Sequence, residues 1–333
     1  MKLSIIGAGS FGTAVAAVAA NCGNDVVLWA HDPHVAAEIE QTRRNPIYLP
    51  SIALDARVRA TSSLAEAAAF SDVLFMIVPS HHFRSVLAQL RPHLPGQVSI
   101  VSGTKGIEND TLQRMSEVTA IELGDALHGF AVMSGPTFAL EMARGDPTAA
   151  VVASTHLALA EQLQHAMSCP TFRLYNSNDV AGVELAGSLK NVIAIAAGVL
   201  EGLGLGSNTT AALITRGLHE VTKLAIALGG RMETLAGLAG MGDLVLTCTG
   251  SLSRNRSLGV ALGQGKALAE ILAESRTVAE GVRTSKAALE LAERHHIDMP
   301  ITAEMMRVLH ENESPRVALQ RLMTRSLKAE AAL

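Results

Sequence analysis

Hydrophobic and polar positions follow two regimes along this chain. Over roughly the first 175 residues, short apolar runs alternate with longer helix-like segments, whereas from Asp179 onward only Ala- and Leu-rich helical segments separated by glycines remain. The runs Lys2 to Ile6, Asp25 to Ala30, Asp72 to Val78, Gln97 to Ser102, Gly129 to Met133, Val151 to Ala153 and Phe172 to Tyr175 have the length of strands. The one ending at Val78 is unbroken, as expected of a parallel strand covered on both faces. Strand and helix in alternation predict a mostly parallel α/β sheet. Prolines at both ends of Pro46 to Pro50 mark a loop that leads to Val58 and a short helix.

The first run breaks into Gly7-Ala-Gly9-Ser10-Phe11-Gly12 and then into an Ala- and Val-rich helix. In such a strand-turn-helix, Gly7 permits the turn, Gly9 lets the backbone approach a pyrophosphate and Gly12 allows close packing, with the phosphates on the helix N-terminus. A plain structural turn is the alternative, and the second strand, ending where the fingerprint expects a ribose-reading group, weighs against it. There the signals are mixed. Asp32 suits a free 2'-hydroxyl, but the lack of an acid at Ala30 or His31, with Arg43 and Arg44 downstream, suits a 2'-phosphate, and either arginine could equally be a solvated helix end. We therefore expect a Rossmann-like, mostly parallel sheet domain over residues 1–178 and an all-helical domain over 179–333. The length of 333 residues supports two domains, because single cores stop growing near about 250 to 300 residues.

Composition narrows the function. Mean hydropathy is +0.27, yet no stretch gives about 18 consecutive apolar residues, and the N-terminus enters the first strand without a secretory pattern, so a soluble cytoplasmic protein is expected. Cys22, Cys169 and Cys248 are far apart in sequence without metal-ligand spacing, which predicts reduced, mostly packed thiols and no metal. A net charge of -4 with 3% aromatic residues offers no surface for nucleic acid and leaves small-molecule chemistry.

Polar residues at strand ends are the candidates for that chemistry, since ligands bind beyond the carboxyl ends of parallel strands. Val78 to His82 follows one strand. His81 and His82 are possible acids or bases, or simply an exposed helix start. Lys105, between Gly103 and Gly106, brings positive charge to the next strand end. Ser134-Gly135-Pro-Thr137-Phe138 follows another and precedes a helix from Ala139. Farther on, Gly187, Asn191, Ala194 and Gly198 form a narrow small-residue face beside Lys190, read either as helix packing or as a close approach that buries a proton-transferring lysine. Gly240-Met-Gly-Asp243 presents a carboxylate. Ser251-Leu-Ser253-Arg254-Asn255-Arg256 reads as both an anion clamp and a helix start capped by Ser253.

Together Gly7-Ala-Gly-Ser-Phe-Gly12, Val78-Pro-Ser80, Thr104-Lys-Gly106, Ser134-Gly-Pro-Thr137, Lys190-Asn191, Gly242-Asp-Leu-Val-Leu-Thr-Cys-Thr249 and Ser253-Arg-Asn255 make the whole chain resemble bacterial NAD(P)-dependent glycerol-3-phosphate dehydrogenases. The resemblance implies an enzyme that reduces dihydroxyacetone phosphate to sn-glycerol 3-phosphate for glycerophospholipid synthesis, as a homodimer not inserted in membranes. Its cofactor would be NADP(H) or NAD(H), with a lean toward NADP(H). It places Ser10, Phe11, His31, Lys105, Ala139, Arg254, Val278 and Glu280 near the dinucleotide. Lys105, Gly135, Thr137, Lys190, Asp243, Ser253, Arg254 and Asn255 would contact substrate, with Lys190 as proton-transfer residue, Lys105 stabilising the oxyanion and Asp243 orienting Lys190. Gly250 departs from the acid common in relatives, outside these ligands. A β-hydroxyacid dehydrogenase would share the lysine and asparagine but not the Ser253-Arg254-Asn255 clamp with Lys105. A non-catalytic dinucleotide sensor would not oxidise cofactor on addition of dihydroxyacetone phosphate.

Overall fold

The computed structural model describes residues 1–274, 279–327 and 329–330. They form two compact units, Met1–Lys105 with Gln113–Val183, and Gly106–Leu112 with Glu184–Leu333.

The first unit is built on eight strands: β1 Lys2–Ile6, β2 Asp25–Trp29, β3 Val58–Thr61, β4 Val73–Met76, β5 Val98–Ser102, β6 Leu127–Ser134, β7 Thr148–Ala153 and β8 Phe172–Ser177. Their order is β3-β2-β1-β4-β5-β6-β7-β8, and every pair is parallel except β6 with β7. The expected α/β architecture is therefore present. Alternation explains the continuous apolar runs. Leu3 and Ile5 of β1 join one core with Val15 and Val18 of the helix Ser10–Asn21, while Ile6 joins a second core with Phe83, Leu87 and Leu90 of the helix Ser80–Leu90. Strand order reverses between β1 and β4, which puts the glycine turn after β1 at the topological switch point of the sheet. β3 is a strand beyond those the apolar runs predict, and it shows no such run because only Val58 of its four residues is fully buried.

Folding brings Cys22, after the first helix, beside Cys169. Burial, helped by the hydrogen bond with Cys169, pushes the Cys22 thiol up to about 12, so it stays protonated near neutral pH. All three cysteines are free thiols.

The second unit is helical. Its central element is the helix Val180–Gly202, which has enough length and hydropathy to cross a membrane, but the apolar window is wholly buried as a protein core. The small-residue face is a packing seam. A Cβ on Gly198 would lie 2.0 Å from the Arg256 carbonyl oxygen, and one on Gly259 would lie 2.0 Å from that of Ile195. Only glycine lets this helix and the helix Arg254–Gly263 meet backbone to backbone.

Candidate active site

In the first unit the fingerprint glycines are fixed by sterics. Gly7 has φ +123°, and a Cβ there would be 2.1 Å from the Ile77 carbonyl oxygen; one on Gly12 would be 1.8 Å from that of Gly7. Gly9 differs, since a Cβ there would meet nothing within 4 Å. It is the N-cap of the helix Ser10–Asn21 and offers no side chain to cap it. Orphan N–H groups beside an open backbone face suit a pyrophosphate, so the residues present fit a dinucleotide.

The turn is braced by a residue that sequence reasoning missed. Asn45 is fully buried and donates to the Ala8 carbonyl (2.8 Å) and to Thr13 Oγ1 (2.9 Å), while Ser10 Oγ donates to the Tyr48 carbonyl (2.9 Å). Asn45 and Tyr48 lie in the stretch read only as a loop, and no local spacing links them to the glycines.

Beyond β2, Asp32 caps the helix Pro33–Thr42 by accepting from the His34 N–H at 2.9 Å. Arg43 donates to the Asp55 carbonyl and Arg44 to the Pro50 carbonyl. These three charged groups thus have local work, and the exposed His31, its ring 5.9 Å from that of Trp29, follows the strand end directly. Lys105, half-buried after β5, holds Nζ 5.9 Å from the centre of the Phe11 ring. Gly135 has φ +145°, and Thr137 Oγ1 donates to its carbonyl at 3.1 Å, just ahead of the helix Ala139–Arg144. His81 and His82 are exposed on the first turn of their helix with ring centres 4.0 Å apart.

The second unit holds a buried charge cluster. Lys190 is 7% exposed and Asp243 1%. Lys190 Nζ donates to Asp243 Oδ1 and, at 2.8 Å, to Thr247 Oγ1, whose hydroxyl donates to the Asp243 carbonyl at 2.6 Å. A π-helical turn, Leu238–Gly242, delivers Asp243 as the first residue of the helix Asp243–Thr249, and Thr247 follows one turn later on the same face. Ala186, Leu218, Val221, Leu235 and Leu244 surround the lysine with apolar groups. In the sequence, the spacing of four between Asp243 and Thr247 is the one signal that joins them. Burial also pushes Cys248 up to about 12, with Lys190 opposing and Asp243 adding, so it remains a neutral thiol.

Ser253 does cap its helix, accepting from the Arg256 N–H at 3.2 Å. Arg256 is paired with Glu201 at 2.6 Å, which takes it away from the expected clamp. Arg254 is exposed at its surface and lines a cleft of about 470 Å³ with Ser251, Leu252, Ser257 and Glu274. Partial desolvation against the cleft wall lowers its pKa, opposed by Glu280, and the group remains a cation. Asn255 Nδ2 donates to Asn191 Oδ1 at 3.0 Å, and its Oδ1 accepts from the Gly281 N–H at 3.1 Å. Glu280 opens the helix Glu280–Arg294, and Val278 lies outside the described residues.

Two family profiles match the chain: the NAD-dependent glycerol-3-phosphate dehydrogenase N-terminus over residues 2–160 and the C-terminus of the same family over 179–320. A glycerol-3-phosphate dehydrogenase [NAD(P)+] of Geobacter metallireducens is 53% identical over 99% of this chain and 98% of its own length. One from Geobacter sulfurreducens is 51% identical with the same coverage. The crystal structure of glycerol-3-phosphate dehydrogenase from Coxiella burnetii superposes with a TM-score of 0.93 at 40% identity, covering 97% of this chain and 99% of that one. With profiles over both halves and relatives aligned end to end, the chain belongs to the NAD-dependent glycerol-3-phosphate dehydrogenase family.

Proposed function

We propose that this protein reduces dihydroxyacetone phosphate to sn-glycerol 3-phosphate, reversibly, using NAD(P)H. The observation that carries the reading is the buried Lys190, held between Asp243 and Thr247, in a chain of this family. When bound, the dinucleotide supplies the hydride. Negative charge then grows on the C2 oxygen of the substrate and must be stabilised and protonated. Lys190 donates that proton, Asp243 and Thr247 hold its ammonium in one direction, and Lys105 adds positive charge for the oxyanion. Arg254 and Asn255 hold the phosphate away from the reacting carbon, so that binding energy positions C2.

On the same reading the cofactor's pyrophosphate lies on Gly7 to Gly12 with Ser10 and Phe11. His31 faces the ribose, and Ala139, Arg254 and Glu280 complete the contacts. Gly135, Thr137 and Ser253 line the substrate. Asp32 spends one carboxylate oxygen on the His34 N–H, and neither Ala30 nor His31 at the strand end is an acid, which supports the lean toward NADP(H). The reading includes a cytoplasmic homodimer feeding glycerophospholipid synthesis.

A spectrophotometric assay tests the proposal. Oxidation of NADPH or NADH should depend on added dihydroxyacetone phosphate, with the higher kcat/KM for NADPH. No oxidation with either cofactor would refute it, and a higher kcat/KM for NADH would overturn the cofactor lean alone. Equilibrium sedimentation tests the dimer.

A further inference from the structure

We propose that Asn191 is a positioning residue that fixes the amide of Asn255 so that it offers an N–H, and not a carbonyl oxygen, to the substrate phosphate. This rests on the phosphate-holding role given to Arg254 and Asn255 above.

An asparagine amide carries an acceptor at one end and two donors at the other, and a half-turn exchanges them. Toward a phosphate the two orientations are opposite in sign. One donates a hydrogen bond to an anion, and the other turns a partial negative charge on it. Which orientation is present follows from one donor whose identity is beyond choice. The backbone N–H of Gly281 can only donate, and it lies 3.1 Å from the Asn255 amide, so the oxygen must face it. The nitrogen of Asn255 therefore faces Asn191, 3.0 Å away, and Asn191 must present its own oxygen. The Asn255 amide is thus held at both ends, by the Gly281 N–H at its oxygen and by the Asn191 oxygen at its nitrogen.

Packing makes this connection rigid. A Cβ on Gly281 would come within 2.6 Å of the Asn191 carbonyl oxygen and 2.7 Å of Ile195 Cδ1, so only glycine brings its N–H this close. Asn191 and Asn255 are 5% and 8% exposed, and Arg254 immediately precedes Asn255 at the start of the same helix. One N–H of Asn255 is committed to Asn191, and the second is the one a phosphate would take. Withdrawing the Asn191 acceptor leaves a buried N–H without its partner, and the Asn255 amide, then held at its oxygen alone, loses the geometry that aims its second N–H.

The test measures kcat and KM for dihydroxyacetone phosphate, and the ratio of kcat/KM for this substrate to that for unphosphorylated dihydroxyacetone, in Asn191→Leu, Asn255→Ala, their double variant and Arg254→Ala. Asn191→Leu should raise KM about tenfold, change kcat less than about twofold and lower the ratio; the double variant should match Asn255→Ala alone. Asn191→Ala, smaller than leucine, removes the same acceptor and should shift KM in the same direction if the leucine variant does not fold. An additive double variant, or a fall in kcat without a rise in KM, would overturn the positioning role. If Arg254→Ala and Asn255→Ala both leave the ratio unchanged, the phosphate reading fails first; if they lower it and neither Asn191 variant does, only the Asn191 inference fails.

Discussion

The two units hold their functional groups by opposite means. In the first, the glycine turn works through main-chain shape: Gly7 and Gly12 are excluded from bearing a side chain by carbonyl oxygens about 2 Å away, and Gly9 keeps an open face. In the second, Lys190 and Asp243 are charged side chains taken almost wholly out of water and satisfied by each other and by Thr247. Shape of the first kind tolerates a change of solvent conditions but not of volume. Buried charge does not tolerate loss of a partner, since an unpaired buried ion costs several kcal/mol. Substitutions should therefore fail differently in the two units.

The largest effect should be at Lys190. Lys190→Ala removes the proton donor and the cation paired with the buried Asp243, so turnover should fall by roughly 10²- to 10⁴-fold, with stability lowered by about 3 to 5 kcal/mol. Cofactor affinity, measured by fluorescence titration of the reduced dinucleotide, should change much less. Lys190→Arg restores charge but not a readily released proton or the same reach, and it should not recover turnover. Near wild-type turnover in the arginine variant would show that Lys190 supplies charge only, and Lys105 would become the candidate acid.

Next come paired substitutions in the turn. Gly12→Ala places a methyl group 1.8 Å from the Gly7 carbonyl oxygen, so the backbone must move; a loss of about 1 to 3 kcal/mol in stability is expected, together with weaker dinucleotide binding. Gly9→Ala meets open space and should leave stability within about 0.5 kcal/mol while still weakening the dinucleotide. Thermal melts and cofactor titrations on both variants separate fold from ligand. Unchanged affinity in Gly9→Ala would mean that the pyrophosphate lies elsewhere.

This contrast also explains what the sequence revealed. The glycine turn is legible because its spacing is local and each glycine answers a steric demand within a few residues. The alternation of apolar runs gave the sheet, but β3 escaped because its other residues are half-polar, and the antiparallel setting of β7 depends on partners that no local pattern encodes. Lys190 and Asp243 are 53 residues apart, so their pairing rested on resemblance, and Thr247 had no role until the helix Asp243–Thr249 put it one turn from Asp243. Asn45 was invisible as a brace because its partners, Ala8 and Thr13, belong to a distant turn. Gly106–Leu112 joins the helical unit through Ile107 and Leu112, which pack in its core, though the surrounding segments belong to the sheet.

The smallest expected effect asks whether buried charge is sensitive to pH even away from the chemistry. Glu220 is 3% exposed and accepts from the backbone N–H groups of Ile301 (2.7 Å) and Thr302 (3.2 Å), which caps the start of the helix Pro300–His310. Burial raises its pKa from 4.5 to about 7, with Asp298 adding slightly and the accepted hydrogen bonds opposing. A carboxyl group that binds its proton more tightly when folded gives the native state the extra proton between those two values. Stability therefore falls as pH rises through that window, by at most about 1.4 kcal/mol per pH unit from this group, and the full cost is present above it. Glu220→Gln cannot ionise. Its amide sets an NH2 donor where one of the two accepting oxygens stood, a cost that does not vary with pH, so the slope is the readout and the level is not. Urea unfolding at about pH 5 and about pH 8 should show a smaller loss of stability with rising pH in the glutamine variant than in the parent. Equal slopes in the two proteins would mean that Glu220 ionises as it would in water and that its cap, like the glycine turn of the first unit, acts by shape alone.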